Sequence, residues 1–270
     1  MFKIKLILAI LVSLASFLWF SPAGAQPFPK GNFEELRETG KANVLEVISP
    51  QTMKLSNGDI VHLVGLHFTD DTPQEAGPFA LTALKILKDM LEGETVLIYQ
   101  TRQKDWGRTN RMGHVLAHIV RQKDMAWVQG TLAGLGLAQV QTSLRNPEMA
   151  AQLYALERYA RKEKLGIWAK DAQVLTPEGA KDYINSFQIV EGVIESAALK
   201  KNRVYLNFGN SWRDDFTVSI PPAHRRDFSK AGLNPFDWNG QKVRVRGWVE
   251  EYNGPYIEID HPAAIELLSE

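Results

Sequence analysis

Residues 44–71 read VLEVISPQTMKLSNGDIVHLVGLHFTDD, and this stretch decides the fold. Apolar residues recur through Val44, Leu45, Val47 and Ile48 and again at Met53 and Leu55, the pattern of half-buried strands. Asn57-Gly58 between two such runs predicts a tight hairpin whose central residues both take positive φ. The second arm, Asp59 to Leu66, opens into the polar loop His67-Phe68-Thr69-Asp70-Asp71. A polar loop at the end of a buried strand is a place where binding and catalytic groups gather.

Outward from the hairpin, the pattern predicts further elements. Before it, residues 26–42 carry proline, glycine and mixed charge and predict a surface lead-in. After it, Leu81, Leu84, Leu87, Lys88 and Leu91 fall at helical spacing over residues 79–92, and Gly93 is placed to end that helix. Strands are predicted at 95–101 and 113–121, and a short helix at 125–136. Asn146-Pro147-Glu148 opens a helix that runs to Lys164, with Met149, Leu153, Leu156 and Ala160 on one face. Residues 170–186 form a polar linker. Beyond it, strands are predicted at 187–197, 202–208 and 216–220, a helix at 222–231, and strands at 242–251, 256–260 and 265–268. The resulting class is mainly β with α, an α+β chain of two units spanning 43–169 and 187–270. In each unit three strands, a helix and two further strands give the order of a small five-stranded barrel of the OB type, a fold that takes oligonucleotides or oligosaccharides on one face.

The first unit resembles the staphylococcal-nuclease-like (thermonuclease) domain. The resemblance lies in the hairpin, in Asp105-Trp106-Gly107-Arg108, in QGTLAGLGLAQ at 129–139 and in KEKLGIW at 162–168. It implies an OB-type barrel of the staphylococcal nuclease type, phosphodiester hydrolysis of DNA or RNA, and calcium as cofactor. In that family two aspartates and a threonine carbonyl hold calcium, a glutamate activates water and two arginines clamp phosphate. The matching positions here are Gln51 and His67, Phe68, Asp70, and His62 with Arg108. Calcium wants carboxylate and carbonyl oxygens, which Gln51 and His67 supply poorly, so the resemblance implies a family site without its calcium ligands and no metal set. The remaining catalytic candidates are Arg108, His62 and Asp70. Arg108 is either a planar phosphate clamp or a turn-holding arginine paired with Asp105 or Glu94. His62 is a phosphate contact, a general acid or a surface histidine. Asp70 is a displaced general base or a solvated loop acid. His62 and His67 with Asp70 or Asp71 make a zinc set only if the loop bends back. His114 and His118, four apart, predict one polar strand face.

In the second unit Tyr205, Phe208, Trp212, Trp248, Tyr252 and Tyr256 interleave with Arg203, Arg213, Lys242, Arg244 and Arg246. Aromatics among cations suit single strands, which makes Arg203, Tyr205, Arg244, Arg246 and Trp248 candidate ligand-binding residues. The alternation of Arg244, Arg246 and Trp248 with Val243, Val245 and Val249 also fits any strand with one wet face.

Residues 1–25 have the pattern of a signal peptide: Lys3 and Lys5, an apolar run from Leu6 to Phe20, then Ala23-Gly24-Ala25. The expectation is an exported protein, periplasmic or extracellular, with no stable membrane span after cleavage. The absence of cysteine excludes a disulfide framework and thiol chemistry. Basic and acidic residues number 31 each, and without the leader the balance is slightly acidic, unlike a chain that grips phosphates over its whole surface. The preferred reading is a catalytically degenerate relative that binds nucleic acid or another anionic polymer. The alternatives are an active phosphodiesterase using His62, Asp70 and Arg108, and an interaction module for a cell-envelope protein.

Overall fold

The computed structural model describes residues 28–72, 75–169, 174–211 and 214–268. The predicted leader, Trp212, Arg213 and part of the predicted linker lie outside them. The first sheet contains β1 (Leu36–Ser49), β2 (Thr52–Leu55), β3 (Ile60–Leu63), β5 (Thr95–Thr101), β6 (Val115–Arg121) and the short β7 (Ala126–Trp127). Antiparallel pairing runs β3-β2-β1-β5-β6, and a parallel pairing of β3 with β6 closes the ring into a five-stranded barrel. The three-residue pieces at its mouth, β4 (Gly65–His67) and β8 (Gln139–Gln141), pair with each other. Three helices pack on this barrel: α1 (Pro78–Leu91), α2 (Val128–Gly134) and α3 (Ala150–Lys162).

The hairpin forms where expected, with a different turn. Only Gly58 enters the left-handed region, at φ +93°. Asn57 keeps negative φ, and its side-chain oxygen accepts from the Asp59 N–H at 3.1 Å, which supplies by side chain what a primed turn would supply by backbone. The strand before it starts earlier than its polarity suggests. Leu36 to Ala42, predicted as lead-in, are part of β1 and pair with β5, because a barrel with one solvated face tolerates charge at alternate positions. In α1 the apolar face is rotated from the predicted one: Ala80, Ala83, Leu87, Met90 and Leu91 are buried, whereas Leu81 is exposed.

The second barrel repeats the connectivity without repeating the sequence. Its strands are β9 (Ser186–Val193), β10 (Ser196–Lys200), β11 (Arg203–Asn207), β12 (Thr217–Ile220), β13 (Lys242–Glu251), β14 (Pro255–Glu258) and β15 (Ile265–Leu267), with α4 (Arg225–Lys230) between β12 and β13. One long strand in the first barrel corresponds to two here, β9 and β10, and a parallel pair again joins the third strand to the fifth, β12 to β14. Each barrel has its own apolar core. The first is centred on Met53, Leu55, Leu63 and Trp127, the second on Val218, Ile220, Val243 and Ile257. Val243, Val245 and Val249 are fully buried as the alternation of β13 requires.

His118 departs from expectation. His114 precedes β6, and His118 sits inside the first core. The Trp127 indole N–H donates to its Nδ1 over 3.4 Å, a contact that needs a neutral ring. Burial pushes the imidazole down to about 3. A folded value below the unfolded value near 6.5 gives a contribution to stability that is complete above that pH and is lost as pH falls toward 3. Urea unfolding at stepped pH should therefore show stability declining over this window, with up to ~1.4 kcal/mol per pH unit from this one group. In His118→Gln that component of the slope should vanish.

Candidate functional site

The site positions cluster at the mouth of the first barrel. Gln51 lies in the turn between β1 and β2, and its side-chain Nε2 donates to the Leu66 carbonyl at 2.8 Å. This ties the turn to β4 and places Gln51 beside the position of His67. The His67 ring lies 4.9 Å from the ring of Phe187 and 6.4 Å from that of Trp248, both of the second barrel. Burial lowers the His67 imidazole from its ordinary value. Phe68 is turned into the first core. Neither Gln51 nor His67 presents a carboxylate, and a hard cation that takes about six to eight oxygens is not served by them. Among the described residues no group of three histidine, aspartate or glutamate side chains is arranged to hold a metal ion.

Asp70 is occupied by the helix that follows. Its two carboxylate oxygens accept from the backbone N–H groups of Phe79 at 2.8 Å and Ala80 at 3.0 Å. These are among the four N–H groups that the start of α1 leaves without an internal partner, and a negative charge there also meets the positive end of the helix dipole. Pro78 at the first helical position lacks an N–H and leaves the task to the next two residues. Asp71, beside it, is exposed, and its carboxyl is raised by partial burial and by the Asp70 charge.

His62 and Arg108 both neighbour Leu116 through the backbone, and neither is hydrogen-bonded to Asp70. His62 stands opposite Leu116 in the parallel pair of β3 with β6, and the Leu116 N–H donates to the Arg108 carbonyl at 2.8 Å. Burial, and then the His114 charge, lowers the His62 imidazole. The Arg108 Nε donates to the Thr101 carbonyl at 2.9 Å, which braces the turn after β5. The carboxylates of Asp105 and Glu94, weighed as its partners, are not what it holds. One of its terminal nitrogens is buried without a hydrogen-bond partner. Gly107 before it is in the left-handed region at φ +87°, and an added Cβ would stand 2.4 Å from the Arg145 carbonyl oxygen. This close approach requires glycine.

The ligand-binding candidates of the second barrel separate into two groups. Arg244 and Arg246 do not face solvent: they are 6% and 4% exposed. The wet face that their alternation implies is there, but the first barrel covers it. Arg246 reaches Glu157 of α3 through both terminal nitrogens, at 3.1 and 2.5 Å, and Glu266 at 3.0 Å. Arg244 holds Glu191 at 2.6 Å, and Arg161 of α3 reaches the same carboxylate at 2.9 Å. Burial alone would lower the Arg246 guanidinium, yet the charges of Glu157, Tyr154 and Glu266 raise it above the ordinary arginine value. Trp248 keeps about half of its surface exposed and borders His67. Arg203 is taken up by Glu258 and also donates to the Ser219 hydroxyl at 2.9 Å. Tyr205 lies in a groove with Lys200, Lys201, Tyr252 and Tyr256.

Glu157 is the residue that sequence reasoning passed over. It is fully buried and accepts the Val140 N–H at 2.8 Å while pairing with Arg246. Its signal was present, since an acid at 157 interrupts the stripe of Leu153, Tyr154 and Ala160 on α3, and an unpaired charge there would be prohibitive.

Two outcomes follow. Asp70→Ala should cost about 1 kcal/mol of stability, within the 0.5–2 kcal/mol typical of a lost helix cap, when read by urea unfolding. Glu157→Leu should cost about 3–5 kcal/mol because it strands a buried guanidinium, whereas Glu157→Leu combined with Arg246→Met should recover most of that loss.

Among the described residues no helix is long and apolar enough to cross a membrane. Comparison with the curated proteins gives no match. Comparison with family models matches residues 38–170 to the staphylococcal nuclease homologue family. That span runs from β1 through α3 and contains the hairpin, the Asp105–Arg108 turn and the Gln51, His62, His67 and Asp70 positions. The first barrel of this chain, residues 38–170, is therefore a domain of the staphylococcal nuclease homologue family.

Proposed function

We propose that this protein is an exported member of the nuclease family that binds nucleic acid without cutting it. The observation that carries the reading is the state of Asp70. Both oxygens of the one carboxylate at the family's general-base position are engaged by the start of α1. A general base must reach a water held on the phosphate, and an acid held by both oxygens at a helix start lacks the freedom to do so. His67 supports the same reading, because it packs against Phe187 where the family would hold a metal ligand. Gln51 and His67 are not a fitting donor set for calcium at these positions. Arg108 remains as the family's retained arginine; its Nε holds the Thr101 carbonyl and one terminal nitrogen is buried, so a phosphate would be met by the other terminal nitrogen.

The active-enzyme alternative makes a different demand. It requires His62, Arg108 and a base to act on one phosphate, and Asp70 is committed elsewhere. The test is incubation of the purified protein with single-stranded DNA and with RNA, in calcium, in zinc and in chelator. Intact substrate in every condition is expected. Metal-dependent cleavage that disappears in Arg108→Ala would establish the enzyme instead.

A further inference from the structure

We infer that the second barrel carries a binding groove for a single-stranded oligonucleotide, on the face away from its contact with the first barrel. The inference rests on the reading of this protein as a nucleic-acid binder and names where and in what form the ligand is held. The groove encloses about 350 Å³ between β10, β11, β12 and the β13–β14 hairpin. Tyr205, Tyr252 and Tyr256 form its aromatic lining, and Lys200 and Lys201 stand on its rim.

Two tight turns fix its walls. Lys201 and Asn202, at φ +48° and +64°, make the β10–β11 turn, and Asn253 and Gly254, at +52° and +96°, make the β13–β14 turn. Two consecutive left-handed residues match the twist of the flanking strands and give a short, rigid connection. Lysine and asparagine adopt this region at a cost that glycine avoids. The walls are therefore set before any ligand arrives, which saves ordering cost on binding.

The chemistry of the lining selects the ligand. Among the described residues no carboxylate lines the groove. The nearby Glu258 is paired with Arg203, which also donates to the Tyr256 hydroxyl at 3.2 Å and so fixes that ring. Tyr252 is 60% exposed. Its ring stands 5.6 Å from that of Tyr256 at an inclination of 60°, which leaves a face open for stacking. An apolar ring held on a rigid turn beside two lysines suits a planar group attached to an anion. A base on a sugar-phosphate strand is such a group, and only an unpaired base offers its face, since in a duplex the bases are already stacked on one another. The lysines contribute the salt-dependent part of the affinity through phosphate contacts.

The experiment is a fluorescence titration of the purified protein with a labelled single-stranded oligothymidylate, a duplex of equal length and a sulfated oligosaccharide, at several salt concentrations. The single strand is expected to bind best. Tyr252→Ala should weaken it roughly 5- to 150-fold, the span of one base-stacking contact, with thermal unfolding unchanged. Lys200→Gln with Lys201→Gln should lower the salt slope by about 1.4, near 0.7 per phosphate contact on a single strand. Tight single-strand binding that neither variant alters would overturn the groove while leaving the nucleic-acid reading intact. Preference for the sulfated oligosaccharide would overturn the ligand class. Failure of all three probes to bind would overturn both the groove and the reading on which it rests.

Discussion

Arg246 is a guanidinium held almost out of water, and the rest of the molecule is arranged to make that tolerable. Its charge is met by Glu157 from the first barrel and Glu266 from the second, and its plane lies 4.3 Å over the ring of Tyr154. Removing two charges from water costs several kcal/mol per ion unless geometry and further hydrogen bonds compensate. Here Glu157 also accepts the Val140 N–H, and Glu191 bridges Arg244 to Arg161. The carboxyl of Glu191 would rise through burial, but the two arginines hold it below its ordinary value. The net energy of such a network is small by comparison with its specificity. Its paired carboxylates and guanidiniums fix α3 against β13, with the Arg246 Nε and one Arg161 terminal nitrogen buried without a hydrogen-bond partner.

Fixing those elements decides the fate of the first barrel's mouth. With α3 and β8 seated on the outer face of β9 and β13, Phe187 and Trp248 come to lie on His67. A bond between the Thr142 hydroxyl and the His261 Nε2, 2.8 Å apart, adds a further tie across the same contact. In a barrel of this family the mouth is where a phosphate would be attacked. In this chain part of the mouth is a wall of the second barrel, and the carboxylate that remains nearby secures a helix. The second barrel keeps Tyr252, Lys200 and Lys201 exposed. Covering one face and leaving the other free separates what the two barrels have available to do.

Much of the fold was legible because it depends on local patterns. The hairpin about Asn57-Gly58, β5 and β13 lie where alternation and turn residues place them. The early start of β1 was hidden because Arg37, Glu38 and Lys41 face solvent along that strand. The site was less legible, for a reason that concerns tertiary contact. Arg244 and Arg246 carry the alternation of a solvated face, and nothing in β13 itself says that a helix about ninety residues earlier supplies the covering acid. Asp70 reads as a loop acid until the register of α1 shows two N–H groups pointing at it. Glu157 was the available clue, an acid inside an apolar stripe that needed a cation from elsewhere.

The contact between His67 and the second barrel is the most direct point at which to test this account. An NMR titration of the histidine ring protons in the intact protein, with cross-peaks collected in the same samples, reads both its packing and its protonation. The account predicts cross-peaks from the His67 ring to Phe187 and a titration midpoint below the ordinary histidine value of 6.5, lowered by burial. A His67 that titrates at its ordinary value with no cross-peak to Phe187 would mean that the mouth of the first barrel is open, and would contradict it.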